Sequence, residues 1–159
     1  LTQSYSLSFC VDLTFMPSLY TAVEIYASRR QVWRVLYHKE LWLYWNTFLY
    51  DDAPNRPFVV GQNVLLSMRR VPGEAITEFQ PRVTLVQPDV CLQWVSTIPG
   101  FACESHFELQ AIGRDRTQYI QQERFSGRLT RLLLPFIRQD EHQGICRMAQ
   151  ELKRYCEQQ

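Results

Sequence analysis

Glycine is scarce in this sequence, and so are the patterns that mark common nucleotide, metal and nucleophile sites. Only 6 of the 159 residues are glycine, and neither a phosphate-cradling glycine-rich loop nor a G-x-S-x-G motif occurs. The three histidines, His38, His106 and His142, share no spacing typical of metal ligands. The sequence therefore predicts no metal ion and no organic cofactor.

An excess of charge of one sign is also lacking. The 17 Lys and Arg residues balance 16 Asp and Glu residues, and the net charge of +1 gives no argument for a nucleic-acid partner. No segment approaches the roughly 20 apolar residues that a transmembrane helix needs. We therefore expect neither a nucleic-acid partner nor an integral membrane segment.

Five cysteines are present, at positions 10, 91, 103, 146 and 156, and they follow no recognisable spacing. They form an odd, scattered set with no C-x-x-C pair, which gives little support to zinc binding or to a dithiol site. The set predicts free thiols in a reducing compartment, and hence a cytoplasmic location.

Aromatic side chains are plentiful, at 13% of the chain, and large flat side chains in that number can fill a core or line a pocket. Turn signals at VPG, QPD, IPG and GRD separate short segments of strand-like composition. Short turns between neighbouring strands indicate an antiparallel meander. The predicted strands cover residues 62–70, 75–86, 90–98, 101–112 and 116–125.

Helical signals flank this meander. A strand predicted at 20–27 leads to Ser28 and Gln31, whose spacing is that of a capping box, and to a helix that begins there. A second short helix is predicted for Lys39–Trp45. The segment from 127 to 157 has apolar residues at helical steps, among them Leu129, Leu133 and Phe136, although Pro135 and Gly144 should interrupt or kink it.

The order strand, two short helices, meander and long C-terminal helix resembles the helix-grip fold of the START/Bet v 1-like (SRPBCC) superfamily. The segments that carry the resemblance span roughly residues 20–157, and they look most like the polyketide cyclase/dehydrase-like branch. They are ASRRQVW, YWNTF, VGQNVLLSM, PRVTLVQPDVCLQW, HFEL and TQYIQQERFSGRL. The resemblance implies an α+β domain over residues 20–159, in which a curved antiparallel sheet wraps around the C-terminal helix and encloses a cavity.

Strand parity selects the residues expected to face that cavity, because alternate side chains of a strand share one face. The inward sets hold most of the large apolar groups of their strands, and we expect a continuous cavity lined by Trp94, Phe107, Tyr119 and Phe125. The full predicted set of ligand-binding residues is Trp45, Asn46, Phe48, Trp94, Phe101, Ser105, Phe107, Tyr119, Gln121, Glu123, Phe125, Leu133 and Phe136.

Two polar positions of this set leave alternatives open. A buried Glu123 is costly unless it has a partner, so it is either a ligand contact that acts as a general base or half of a structural ion pair. Asn46 is either a cap for the turn after the second helix or a polar contact to a ligand.

Three functions fit these features. The first is the binding of a hydrophobic small molecule, such as a lipid, an isoprenoid or a polyketide. The second is an enzyme of the cyclase or dehydratase kind, in which Glu123 and Tyr119 position and deprotonate a carbonyl substrate. The third is a protein-interaction module whose cavity is filled by side chains.

The first 15 residues raise a separate question. In SYSLSFCVDLTF, residues 4–15, bulky apolar residues from Tyr5 to Phe15 alternate with small or polar ones. Residues 1–19 are interpreted as an N-terminal extension whose strand pairs antiparallel with residues 20–27. Its apolar face would lie on the core or on a second subunit, and the second arrangement would make a homodimer.

Overall fold

A computed structural model describes residues 16–159, which form eight strands, two α-helices and one 3₁₀ helix. The strand predicted for residues 4–15 lies outside the described residues. The helices are α1 (Arg29–Tyr37), a 3₁₀ helix (Lys39–Tyr44) and α2 (Thr130–Glu157). The strands are β1 (Ser18–Ile25), β2 (Leu49–Tyr50), β3 (Leu66–Met68), β4 (Thr77–Phe79), β5 (Arg82–Gln87), β6 (Cys91–Ile98), β7 (Phe101–Gly113) and β8 (Arg116–Ser126).

The main sheet is antiparallel, with strand order β1-β8-β7-β6-β5. Its curved inner face packs on α2, so the predicted helix-grip architecture is confirmed. The three strands β6, β7 and β8 follow the turn signals of the sequence within one residue. Their register places Ser105 of β7 opposite Trp94 of β6 on one side and opposite Glu123 of β8 on the other.

The first part of the meander differs from the prediction. A separate three-stranded sheet, in the order β2-β3-β4, contains only residues 66–68 of the strand predicted at 62–70. The strand predicted at 75–86 is divided into β4 and β5 around Gln80 and Pro81. Proline has no amide hydrogen and restricts the residue before it, which explains the break.

The start of α1 follows the predicted cap in part. The Ser28 hydroxyl accepts a hydrogen bond from the Gln31 amide, at 3.3 Å. The Gln31 side chain, however, does not return to the cap: its Nε2 donates to the Cys156 carbonyl near the end of α2. Gln31 therefore links the two helices instead of completing a capping box.

Helix α2 runs through both Pro135 and Gly144, and neither residue ends it. Its buried residues follow helical spacing from Thr130 and Leu134 through Glu141 and Ile145 to the C-terminal turns. Gly144 is needed where the helix meets a ring: a Cβ at this position would lie 2.4 Å from Cε2 of Phe48. No helix within residues 16–159 combines the length and the apolar character required to cross a bilayer.

Candidate functional site

A cavity of about 380 Å³ lies between the inner face of the main sheet, the small sheet and α2. Aromatic rings form much of its wall. The ring centroids of Trp94 and Phe107 are 4.6 Å apart, and those of Phe101 and Phe125 are 5.9 Å apart. The mouth is flanked by exposed residues that include Glu78 and Ile98. The site is thus an aromatic-walled pocket that opens to solvent.

Eight of the predicted ligand-binding residues line this cavity, and most come from the inward faces of β6, β7 and β8. Alternation along these strands was sufficient to find seven of them, because the turns at their ends fix the strand limits, whereas Phe48 was placed at the cavity by the family resemblance. They are Phe48, Trp94, Phe101, Ser105, Phe107, Gln121, Glu123 and Phe125.

Glu123 is the centre of the polar part of the cavity, and its side chain is almost fully buried, with the residue 3% exposed. Its Oε2 accepts hydrogen bonds from the Ser105 hydroxyl at 2.6 Å and from the Cys103 thiol at 3.1 Å. Its Oε1 accepts from the Gln121 side-chain amide at 3.3 Å. No Lys, Arg or His of the described chain forms an ion pair with it, so the structural ion-pair hypothesis for Glu123 is wrong.

Burial raises the pKa of Glu123 from its ordinary value of 4.5 to about 8. The negative charge of Glu141 contributes to this net increase, whereas the hydrogen bonds from Ser105, Cys103 and Gln121 partly offset it. The carboxyl is therefore largely protonated near neutral pH while no cation approaches it. Burial and the nearby Glu123 also raise the pKa of the Cys103 thiol, which keeps that thiol neutral.

Tyr119 is connected to the cavity only through Gln121. Its fully buried hydroxyl donates to Gln121 Oε1 at 2.9 Å, and burial followed by the charge of Glu123 raises its pKa well above the ordinary value. The prediction that Tyr119 lines the cavity is wrong, because parity determines which face a residue occupies but not how far along the strand the cavity extends. Tyr119 instead orients the Gln121 amide toward Glu123.

Glu141 is a cavity residue that the sequence analysis missed. Its polar character gave no sign of burial, yet Glu141 is only 5% exposed, and its Oε2 lies 2.5 Å from Nε of Arg70. Arg147, one turn and a half further along α2, donates to the carbonyls of Arg69 and Arg70 at 2.6 and 2.9 Å. This contact holds the segment after β3 against α2 and places Arg70 beside Glu141.

In the N-terminal part of α2, the residues that face the core are not those of the predicted apolar stripe. Phe136 is 80% exposed and Leu133 is half-buried, and neither lines the cavity; Ile137 does, and the neighbouring Leu134 is buried. The buried face of α2 includes Thr130 and Glu141. Because these side chains are polar, a count of apolar residues does not detect this face.

Trp45 and Asn46 also lie outside the cavity wall, although both are buried. The Asn46 Oδ1 accepts hydrogen bonds from the amides of Phe48 and Leu49, at 3.0 and 2.9 Å. Of the two alternatives for Asn46, these contacts are those of the turn cap. Asn46 thus fixes the turn that leads into β2.

One further polar atom in the wall lacks a partner. The indole Nε1 of Trp94 is buried and makes no hydrogen bond to any residue that the structure describes. Buried donors of this kind are usually satisfied.

Comparison with solved structures shows which proteins share this fold. DynU16, a protein from the dynemicin biosynthetic locus, matches at 18% identity and a TM-score of 0.62 over 87% of this chain, which spans only 46% of DynU16. A START superfamily protein from Mycobacterium smegmatis matches at 17% identity and a TM-score of 0.66, covering 89% of this chain and 97% of that one.

Norcoclaurine synthase from Thalictrum flavum, solved in complex with dopamine and hydroxybenzaldehyde, matches at 16% identity and a TM-score of 0.64. The match covers 97% of this chain and 96% of the synthase. No family model matches the sequence, and neither does any curated protein. At these identities the comparisons show a common fold, and one fold hosts many functions.

Proposed function

We propose that the protein binds a hydrophobic small molecule in the cavity between the sheet and α2. The proposal starts from the helix-grip fold, which is the fold of the START/Bet v 1-like superfamily. The observation that carries the proposal is the cavity itself, which is walled by aromatic rings and has a buried carboxyl, that of Glu123, at its polar end. At about 380 Å³ it falls within the range of roughly 300–1,000 Å³ that small-molecule pockets occupy.

The composition of the wall supports binding of an apolar body with few polar groups. Phe101, Phe107 and Phe125 give the ligand flat apolar contacts, and burial of apolar area contributes roughly 25 cal/mol per Å². Among the buried polar side chains of the wall, Glu123, Gln121 and Ser105 adjoin one another, and these would fix the orientation of the ligand. Norcoclaurine synthase, solved with dopamine and hydroxybenzaldehyde, shows that the fold accommodates aromatic ligands.

The experiment begins with native mass spectrometry of protein purified from its own host, where a retained ligand adds a discrete mass. Binding is then followed with the uncharged fluorescent probe N-phenylnaphthylamine. Ser96 lines the cavity, whereas Val95, the preceding residue of β6, points to the opposite face. Ser96→Phe should reduce probe affinity about tenfold or more, and Val95→Phe should not; equal affinities for both variants would contradict the proposal.

A second candidate function is acid–base catalysis of the cyclase or dehydratase kind on a polyketide-like substrate. It is favoured by the pKa of Glu123, which at about 8 lies close to the pH at which a general base operates. Tyr119 contributes only through Gln121 in this arrangement. If the catalytic hypothesis is correct, Glu123→Gln abolishes turnover of a polyketide mimic but not binding of that mimic. Turnover that persists in Glu123→Gln contradicts the hypothesis.

The open cavity argues against the third hypothesis, a protein-interaction module whose cavity is filled by side chains. A cytoplasmic location remains part of the proposal, and it rests on the odd, scattered set of cysteines in the sequence.

A further inference from the structure

The ionisable groups that line the cavity become unbalanced in charge when Glu123 ionises. They comprise three carboxyls, of Glu78, Glu123 and Glu141, and one guanidinium, of Arg70. Arg70 is already engaged, because its Nε lies 2.5 Å from Glu141 Oε2. Glu78 is exposed at the mouth, so the buried interior holds two carboxyls and a single cation.

The hydrogen bonds around Glu123 suit its ionised form, which only accepts hydrogen bonds. All three of its side-chain partners, Ser105, Cys103 and Gln121, donate to it. The Gln121 amide is held in the donating orientation, since its oxygen accepts from the Tyr119 hydroxyl. What the described chain does not provide is a positive charge to balance the ionised form.

The aromatic wall adds a second feature that points to a cation. Trp94 and Phe107 adjoin Ser105 in the register of the sheet, and Phe125 lies two residues beyond Glu123 on the same face of β8. The faces of aromatic rings carry negative electrostatic potential and attract cations, an effect that increases when the cation is desolvated. Aromatic rings beside carboxyls are one combination by which proteins bind ammonium groups.

From this arrangement, and resting on the proposed function, we propose that the ligand is an amine with an apolar or aromatic body, whose ammonium group is held by the Glu123 and Glu141 carboxylates. The apolar body would lie on the rings of Phe101, Phe107 and Phe125. Carboxylate and phosphate ligands are disfavoured, because Arg70 alone would face them and two carboxyls would repel them.

Binding of such a ligand moves a proton. The amine enters as the ammonium ion, the Glu123 carboxyl loses its proton to solvent, and the carboxylate pairs with the ammonium. Net proton release approaches one per bound amine wherever free Glu123 is protonated. The groups that face Glu123 from the surrounding elements also influence this titration: Cys103 on β7, Tyr119 on β8, Glu141 on α2, Arg70 after β3 and Glu78 on β4.

The test compares three compounds of the same shape, naphthylethylamine, naphthylethanol and naphthylacetate, by isothermal titration calorimetry near pH 7. A hydrogen bond to a charged group is worth about 1 to 1.5 kcal/mol more than a neutral one, so the amine should bind roughly tenfold tighter than the alcohol. The acetate should bind more weakly than the alcohol. Titration in buffers of different ionisation enthalpy should show proton release with the amine and none with the alcohol.

Glu123→Gln is the deciding variant, and Glu104→Gln is its matched control. Glu104 lies on β7 one position from Ser105, on the opposite face, where it contacts Arg124 at the surface. Glu123→Gln should remove both the preference for the amine over the alcohol and the proton release. Glu104→Gln should change none of these quantities.

The outcomes separate this inference from the proposed function. If the alcohol binds as tightly as the amine, with an affinity that Ser96→Phe abolishes, the ammonium inference is overturned and the binding function stands. If the amine binds but Ser96→Phe leaves its affinity unchanged, both are overturned, because binding then occurs outside the cavity. Proton release by the unaltered protein supplies the readout if Glu123→Gln does not fold.

Discussion

The hydroxyl of Ser105 lies 2.6 Å from the carboxyl of Glu123, because the two residues are directly opposed across the β7–β8 pair. This contact is the shortest of the three that the Glu123 carboxyl accepts from side chains, and it opposes the effect of burial on the Glu123 pKa. The protonation of Glu123 is thus set by a local hydrogen bond acting against desolvation.

Ser105→Ala should raise the pKa of Glu123 above its value of about 8. A hydrogen bond to a charged group is worth about 1.5–3 kcal/mol and one pKa unit is about 1.4 kcal/mol, so we expect an increase of roughly one to two units. The measurement is a carbon-13 NMR titration of the Glu side-chain carboxyls, with Glu123→Gln used to assign the resonance. Glu141→Gln should shift the pKa of Glu123 in the opposite direction, and a decrease in Ser105→Ala would contradict the assignment of roles.

Stability should fall as pH rises through the range in which Glu123 ionises. Its pKa is about 8 in the folded protein and near 4.5 when unfolded, so the folded state binds the proton more tightly. The stabilisation from protonated Glu123 is fully present below about pH 4.5 and is lost as pH approaches 8. At about 1.4 kcal/mol per pKa unit, the loss amounts to a few kcal/mol.

Urea unfolding of the unaltered protein and of Glu123→Gln, from about pH 5 to about pH 9, measures this effect. The glutamine variant lacks the titrating group, so its free energy of unfolding should exceed that of the unaltered protein by an increasing margin as pH rises. A difference between the two proteins that is constant with pH would show that Glu123 does not titrate in this range.

The strand part of the site was predictable from sequence because its physics is local. The two-residue repeat of a strand and the turns at its ends are enough to place Ser105, Gln121 and Glu123 on one face. The helix part was not, since burial of Glu141 depends on Arg70, a residue 71 positions away. Sequence periodicity counts a buried glutamate as solvent-exposed, and this displaced the predicted stripe to Leu133 and Phe136.

Gly144→Ala should destabilise the protein, although alanine is the better helix former by roughly 1 kcal/mol. The new Cβ would lie 2.4 Å from the ring of Phe48, which lines the cavity, and the ring must move. Overpacking of this kind costs about 1–3 kcal/mol, and thermal or urea unfolding will measure it. The double variant Gly144→Ala with Phe48→Leu should recover part of the loss relative to the sum of the single changes.

The matched control is Gln143→Ala, which places an alanine at the exposed neighbouring position of α2. Its free energy of unfolding should change by less than about 0.5 kcal/mol. A Gly144→Ala variant that is more stable than the unaltered protein would show that the ring of Phe48 has room to move.

Removal of residues 1–15 should lower stability or change the oligomeric state. Strand β1 pairs with β8 along one edge, and within residues 16–159 no strand pairs with its other edge. Open edges of this kind accept further strands. Residues 18 and 19, predicted as the end of an extension 1–19, pair with β8 and so belong with the domain predicted for residues 20–159. We propose that the alternating segment 4–15 is an extension that adds an antiparallel strand to β1, within one subunit or between two.

Paired substitutions test the same idea without shortening the chain. Leu7→Glu with Phe9→Glu places charge on the apolar parity of the segment, whereas Ser6→Glu with Ser8→Glu places it on the polar parity. Because a strand presents alternate residues to opposite faces, only the first pair should lower the melting temperature, or dissociate a dimer in analytical ultracentrifugation. A truncated protein with unchanged stability and oligomeric state, together with equal behaviour of the two charged variants, would show that the segment takes no part in the fold.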